Sequence, residues 1–104
     1  MKLESFRKAV RQGRIEWRKH SLQRFAERAI KQEAIIEALL TAEVIEDYPE
    51  DTPFPSALFL AFPGGDPLHV VAAFDERHNL VYIITAYEPS REFFLNDYRT
   101  RRRQ

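Results

Sequence analysis

Leu68-His69-Val70-Val71-Ala72-Ala73-Phe74 and Leu80-Val81-Tyr82-Ile83-Ile84-Thr85-Ala86-Tyr87 decide the fold, with Asp75-Glu76-Arg77-His78-Asn79 between them. Both apolar runs have the length and the β-branched or aromatic content of strands, and the polar stretch that parts them reads as a turn. Strands joined by so short a link run antiparallel. Towards the N terminus, Ala57 to Phe62 and Glu43 to Tyr48 have the same character, with Pro49, Pro53, Pro55 and Gly64-Gly65 in the connections. The second half of the chain is therefore expected to be an antiparallel meander of about four strands.

The first half changes period. Leu3, Phe6 and Val10 lie at helical spacing over residues 3–12, and Gly13 ends that helix. Ile15-Glu16-Trp17-Arg18 alternates and is a candidate short strand. From Ser21, the residues Leu22, Phe25, Ala26, Ala29 and Ile30 form one apolar stripe, which Ile35, Ile36, Leu39 and Leu40 continue. Neither Gly nor Pro marks a break near Lys31, so one long helix and two shorter ones both fit. After Pro89, Ser90 is placed to cap a short final helix presenting Phe94 and Tyr98. Helices first and strands second predict a single α+β domain over residues 1–104, with the N-terminal helices packed on one sheet face. Trp17 and the phenylalanines are expected in the core.

Composition narrows the chemistry. Hydrophobic residues make up 44% of the 104, enough to build a core. The absence of cysteine removes disulfides, thiolate zinc sites and cysteine nucleophiles, and three histidines are too few for a histidine-rich metal cage. Residues 1–5 hold no apolar signal core, and the longest uncharged run, Thr52 to Gly65, is too short to span a bilayer. A cytoplasmic protein with no membrane association, metal or cofactor is the expectation. Charge is segregated: residues 1–41 carry a net +5, residues 42–98 a net −9 and residues 99–104 a net +4. Such asymmetry points either to an anionic partner for the basic part or to basic helices complementing an acidic sheet.

Two places could carry chemistry. His20, Arg24, Glu27, Arg28 and Lys31 share one edge of a helix, which puts a titratable imidazole beside guanidiniums. That set suits phosphate chemistry, where one group moves a proton and others hold an oxyanion; a solvated helix face is the alternative. His69 lies on the sheet face opposite Leu68, Val70, Ala72 and Phe74. A hairpin turning about Arg77 would pair His69 with Thr85 and set Tyr87 nearby. His20 and His69 would then act as acid and base in metal-free RNA cleavage if the helix crossed that face. The acidic run Glu43, Glu46, Asp47, Glu50 and Asp51 lacks an EF-hand pattern and reads as a solvated edge or a docking patch. The arginines at 101–103 read as a solvated tail, and His78 as a loop-tip residue.

The stretch from His20 to Ile30 resembles the His-Ala-x-x-Arg-x-x-x-Arg-x-Ile opening of domain-of-unknown-function family 4258, with Ser21 in place of the usual Ala. Glu43 to Pro49, Pro67 to Val71 and Ile84 to Pro89 resemble later segments of that family, in its order, so the likeness covers roughly residues 15–92. The resemblance implies the α+β fold of RelE-like and barnase-like ribonucleases. Some members resemble toxins of toxin–antitoxin pairs, with a zinc-finger antitoxin as the usual partner. That likeness together with the His/Arg helix edge makes a toxin-type, metal-independent endoribonuclease acting on RNA the leading expectation. In that scheme His20 and His69 share acid and base duty. Arg24 and Arg28 hold the scissile phosphate, and Thr85 and Tyr87 contact the nucleotide. A non-catalytic RNA- or protein-binding module of the same fold is the alternative.

Overall fold

The computed structural model describes residues 1–103. Its elements are α1 (Leu3–Arg11), β1 (Ile15–Glu16), α2 (Lys19–Glu27), α3 (Gln32–Thr41), β2 (Glu43–Tyr48), β3 (Ser56–Ala61), β4 (Leu68–Asp75) and β5 (Leu80–Tyr87). The strands form one sheet in the order β1-β5-β4-β3-β2. Strands β2 to β5 make the expected antiparallel meander. The sheet is nevertheless mixed and five-stranded, because β1 adds to the outer edge of β5 in parallel, Ile15 opposite Val81. The alternating stretch at Ile15 is thus a strand, and a hydrogen bond donated by the Val81 amide to the Arg14 carbonyl (2.9 Å) fixes its place.

Strand β5 carries one extra residue. Val71 pairs with Thr85 and Ala72 with Ile83, which leaves Ile84 as a bulge. The turn centres between Arg77 and His78, with Asp75 opposite Leu80, which moves the register one residue from that of a hairpin about Arg77, and the bulge moves it one more. His69 therefore lies opposite Tyr87 and not opposite Thr85 as the sequence predicts. Ile84 is left half exposed.

Helices α1 and α3 cover one face of the sheet. Phe6, fully buried, meets Phe59 edge-on (5.0 Å between centroids) and stacks on Phe74 (5.7 Å). Ile35 and Leu39 of α3 complete this core with Val70, Val81 and Ile83. Helix α2 sits at the periphery. Of its predicted stripe only Phe25 is buried; Leu22 and Ile30 are half-buried, and Ala26 and Ala29 are exposed. Two helices exist here, not one. Ile30 donates its amide to the Phe25 carbonyl (2.8 Å) and Ala29 to Ala26 (3.1 Å), with Ala29 in the left-handed region at φ 56°. This is a Schellman closure built without glycine, which is why composition hides it.

The opposite sheet face is also covered. Leu58, Leu60 and His69 point away from the helices and are buried, and Phe94 (3% exposed) lies against the His69 ring from the segment that follows β5, residues 88–103. No final helix forms in that segment. The Ser90 hydroxyl accepts the Glu92 amide, and the Asp97 carboxylate accepts the amides of Arg99 (2.9 Å) and Thr100 (3.0 Å). Such side-chain acceptors offer the backbone a turn in place of helical bonds. Leu95 then bonds the Thr100 carbonyl and Arg102 the Phe93 carbonyl, both at 2.8 Å. Arg99 pairs with Glu43 and Arg101 with Glu46, so the tail is tied to β2 and not left to solvent at these positions.

Candidate nucleic-acid interface

Helix α2 begins at Arg18, which provides no side-chain cap, and its first turn holds no acidic residue. His20 and Arg24 are exposed on it. Arg28, just past its end, turns towards β5 and donates to the Ala86 carbonyl (2.8 Å) and the Thr85 hydroxyl (3.4 Å). It thereby satisfies a carbonyl on the stretch of β5 that two-residue β1 is too short to pair. Residues 18–31 carry five Lys/Arg and one Glu. Among the described residues, none of these five cations forms a salt bridge. The basic helix therefore does not neutralise the acidic sheet; Glu43 and Glu46 are taken by the C-terminal arginines instead.

His69 is in a different setting. It is 0% exposed, with its ring edge-to-face against Phe94 (4.6 Å) and Tyr87 (5.4 Å). Nε2 donates to the Tyr98 carbonyl at 2.7 Å, and Nδ1 lies 3.4 Å from the Tyr87 hydroxyl, from which it accepts in the neutral form. Burial pushes the imidazole below its ordinary pKa, against the opposing pull of the Tyr98 carbonyl and the Glu46 carboxylate. Burial also raises the Tyr87 phenol. Beside them Arg101 grips Glu46 with Nε (2.7 Å) and a terminal nitrogen (3.0 Å), which holds that carboxyl below the usual range. Tyr48, hydrogen-bonded to the same carboxylate, is raised.

The sequence-predicted residues thus separate into two groups. Arg28 meets Thr85, and Tyr87 meets His69; Arg28 and Tyr87 also line one open hollow of about 370 Å³. His20 and Arg24 stand on the exposed side of α2 and make no hydrogen bond or ion pair with this group. The His20–His69 pair is not assembled: His20 is exposed on α2, whereas His69 is fully buried with Tyr87 and Tyr98 as its partners.

A family model described as a domain of unknown function (DUF4258) matches residues 17–88. The chain belongs to that family. No curated protein and no solved structure matches it. In this DUF4258 chain the matched span runs from Trp17 through α2 to the end of β5, and the segment that buries His69 follows it. Among the described residues no helix is long and apolar enough to cross a membrane, and no cluster of His, Asp and Glu is arranged to hold a metal ion.

Sequence reasoning missed a second part of the DUF4258 surface. A cavity of about 310 Å³ opens between the start of α2 and the loop before β3, lined by Arg18, Ser21, Asp51, Phe54, Tyr82 and Ile84 among others. Phe54 and Tyr82 stack nearly parallel (9°, 5.3 Å), and the Arg18 guanidinium lies 5.5 Å from the Tyr82 centroid. The available signal was Tyr82, an aromatic on the strand face away from the helices; nothing in the local pattern connects it to Phe54.

Proposed function

We propose that this DUF4258 chain binds single-stranded RNA along α2 and the adjoining edge of β5. The observation that carries the reading is the set of five cations at residues 18–31, none of them paired with a carboxylate among the described residues. Phosphates meeting three to five of them release counterions, and for single strands the logarithm of affinity falls with that of salt at a slope of about −2 to −3.5. Fluorescence anisotropy with labelled heterogeneous RNA across a salt series tests this. Arg24→Glu and Lys31→Glu each flatten the slope by about 0.7. Absence of binding at low salt, or binding insensitive to both charge reversals, refutes it.

A second reading is a toxin-type, metal-independent endoribonuclease with a zinc-finger antitoxin as partner. The paired His69 and Tyr87 beneath segment 88–103 favour it, because displacing that segment would uncover a neutral imidazole able to take a proton. Arg24 and Arg28 would then hold phosphate, and His20 would supply the second proton-transfer group. The test is RNA cleavage in excess EDTA by Arg99→Glu/Arg101→Glu protein, which loosens the segment. Cleavage that disappears with His69→Ala supports the reading; intact RNA with the loosened, folded variant removes it.

A further inference from the structure

We infer that the cavity between α2 and the loop before β3 is a nucleobase subsite selective for guanine; this rests on the RNA-binding reading, whose substrate it specifies. Four features of the cavity converge. Phe54 stacks on Tyr82 and Arg18 lies over the Tyr82 ring, so the outer face of Phe54 is the flat apolar surface left to an unpaired base, which stacks on such faces. The β5 bulge turns Ile84 outward, and this half-exposed side chain lines the same space. Arg18, lying along the Tyr82 ring, supplies positive charge where the sugar–phosphate would pass, and Ser21 adds a hydroxyl. The volume of about 310 Å³ lies within the range of small-ligand sites.

Asp51 sets the base. Asp51 lines the cavity, and its carboxylate accepts a hydrogen bond from Ser56, a buried residue of β3, which fixes its orientation. An ionised carboxylate only accepts, and it retains lone pairs beyond the one Ser56 uses. A base facing it must present donors. Guanine offers adjacent N1–H and N2–H groups that match two carboxylate oxygens. Uracil presents one N–H between two carbonyls that the carboxylate repels, while adenine and cytosine each present a single amino group beside an acceptor nitrogen.

Calorimetric titration of the full chain with the 5′-monophosphates of guanosine, adenosine and uridine reads this out. Guanosine monophosphate is expected to bind about tenfold tighter than the others, the discrimination one well-formed bidentate pair provides. Asp51→Asn, whose amide can still meet Ser56, abolishes that preference, whereas Arg18→Gln weakens all three nucleotides alike. NMR shifts of the Ile84 methyls and Tyr82 ring on addition of guanosine monophosphate locate the binding. Equal affinity for all three nucleotides, or binding that leaves Ile84 and Tyr82 unshifted, overturns the subsite while RNA binding by α2 stands. Guanosine monophosphate binding without any RNA binding overturns the RNA reading, and with it the role of the cavity as an RNA subsite.

Discussion

Replacing Arg101 by Ala removes the strongest polar tie between segment 88–103 and the sheet. Two contributions are lost. The ion pair with Glu46 is bidentate but sits at half-exposed side chains (55% for Arg101 and 23% for Glu46), so solvent screening limits it to about 0.5–1 kcal/mol. The guanidinium also lies 5.0 Å from the Phe94 centroid, and an exposed cation–π contact contributes about 0.5–1 kcal/mol. Together these give about 1–2 kcal/mol, which raises the frequency of local opening roughly 5- to 30-fold. Native-state hydrogen exchange should show this at the amides of Leu95 and Arg102, which are bonded within the segment, and not at Val70 in the core strand β4. The His69 titration should move upward towards 6.5. Arg101 now depresses it, Glu46 raises it, and an opened segment admits water. An unmoved His69 titration with unaltered exchange at Leu95 would show that Arg101 does not hold the segment. Equal acceleration at Leu95 and Val70 would show that the segment opens only with the whole fold.

Three further outcomes follow from the packing. His69 titrates below its unfolded value of 6.5, so its contribution is complete above that pH and is lost as pH falls through the lower folded value. Urea unfolding of the wild type should therefore weaken between about pH 7.5 and pH 5.5 by more than that of His69→Asn; parallel pH profiles would refute the assignment. Phe6→Ala should cost about 3–5 kcal/mol in the same assay, because a fully buried ring between Phe59 and Phe74 leaves a cavity; a loss below about 1 kcal/mol would mean that α1 is not docked as described. Ala29→Gly should stabilise by up to about 1 kcal/mol, since a left-handed residue carrying a Cβ is relieved by glycine. A destabilising effect would argue against the turn that separates α2 from α3.

The strands of the meander could be read from the sequence almost to the residue, because β-rich runs separated by proline, glycine and polar turns leave little choice of boundary. What eluded that reading has local causes. The parallel pairing of β1 involves only two residues and a partner strand late in the chain, so no periodicity announces it. The bulge at Ile84 lies within an unbroken apolar run; its one extra residue, added to a turn that sets Asp75 opposite Leu80, moves His69 from Thr85 to Tyr87. Ser90 after Pro89 resembles a helix start, yet Asp97 captures the amides of Arg99 and Thr100 and a turn results. The site was half legible: Arg28 with Thr85 and His69 with Tyr87 do meet. The burial of His69 was not, because it depends on Arg99 and Arg101 finding Glu43 and Glu46, a match between distant charges that spacing alone does not reveal.

The partnership of β1 with β5 sets a schedule for synthesis. On the ribosome, α1, β1 and α2 emerge first, yet the strand that receives Ile15 begins only at Leu80, and the rings that enclose Phe6 belong to β3 and β4. Until the sheet forms, Phe6, Val10 and Phe25 have only the neighbouring helices to pack on, and their full docking waits for the final hairpin to leave the exit tunnel. Non-local closure of this kind is slow relative to helix formation. A chain delayed before completion is therefore expected to leave its N-terminal third exposed to chaperones and proteases.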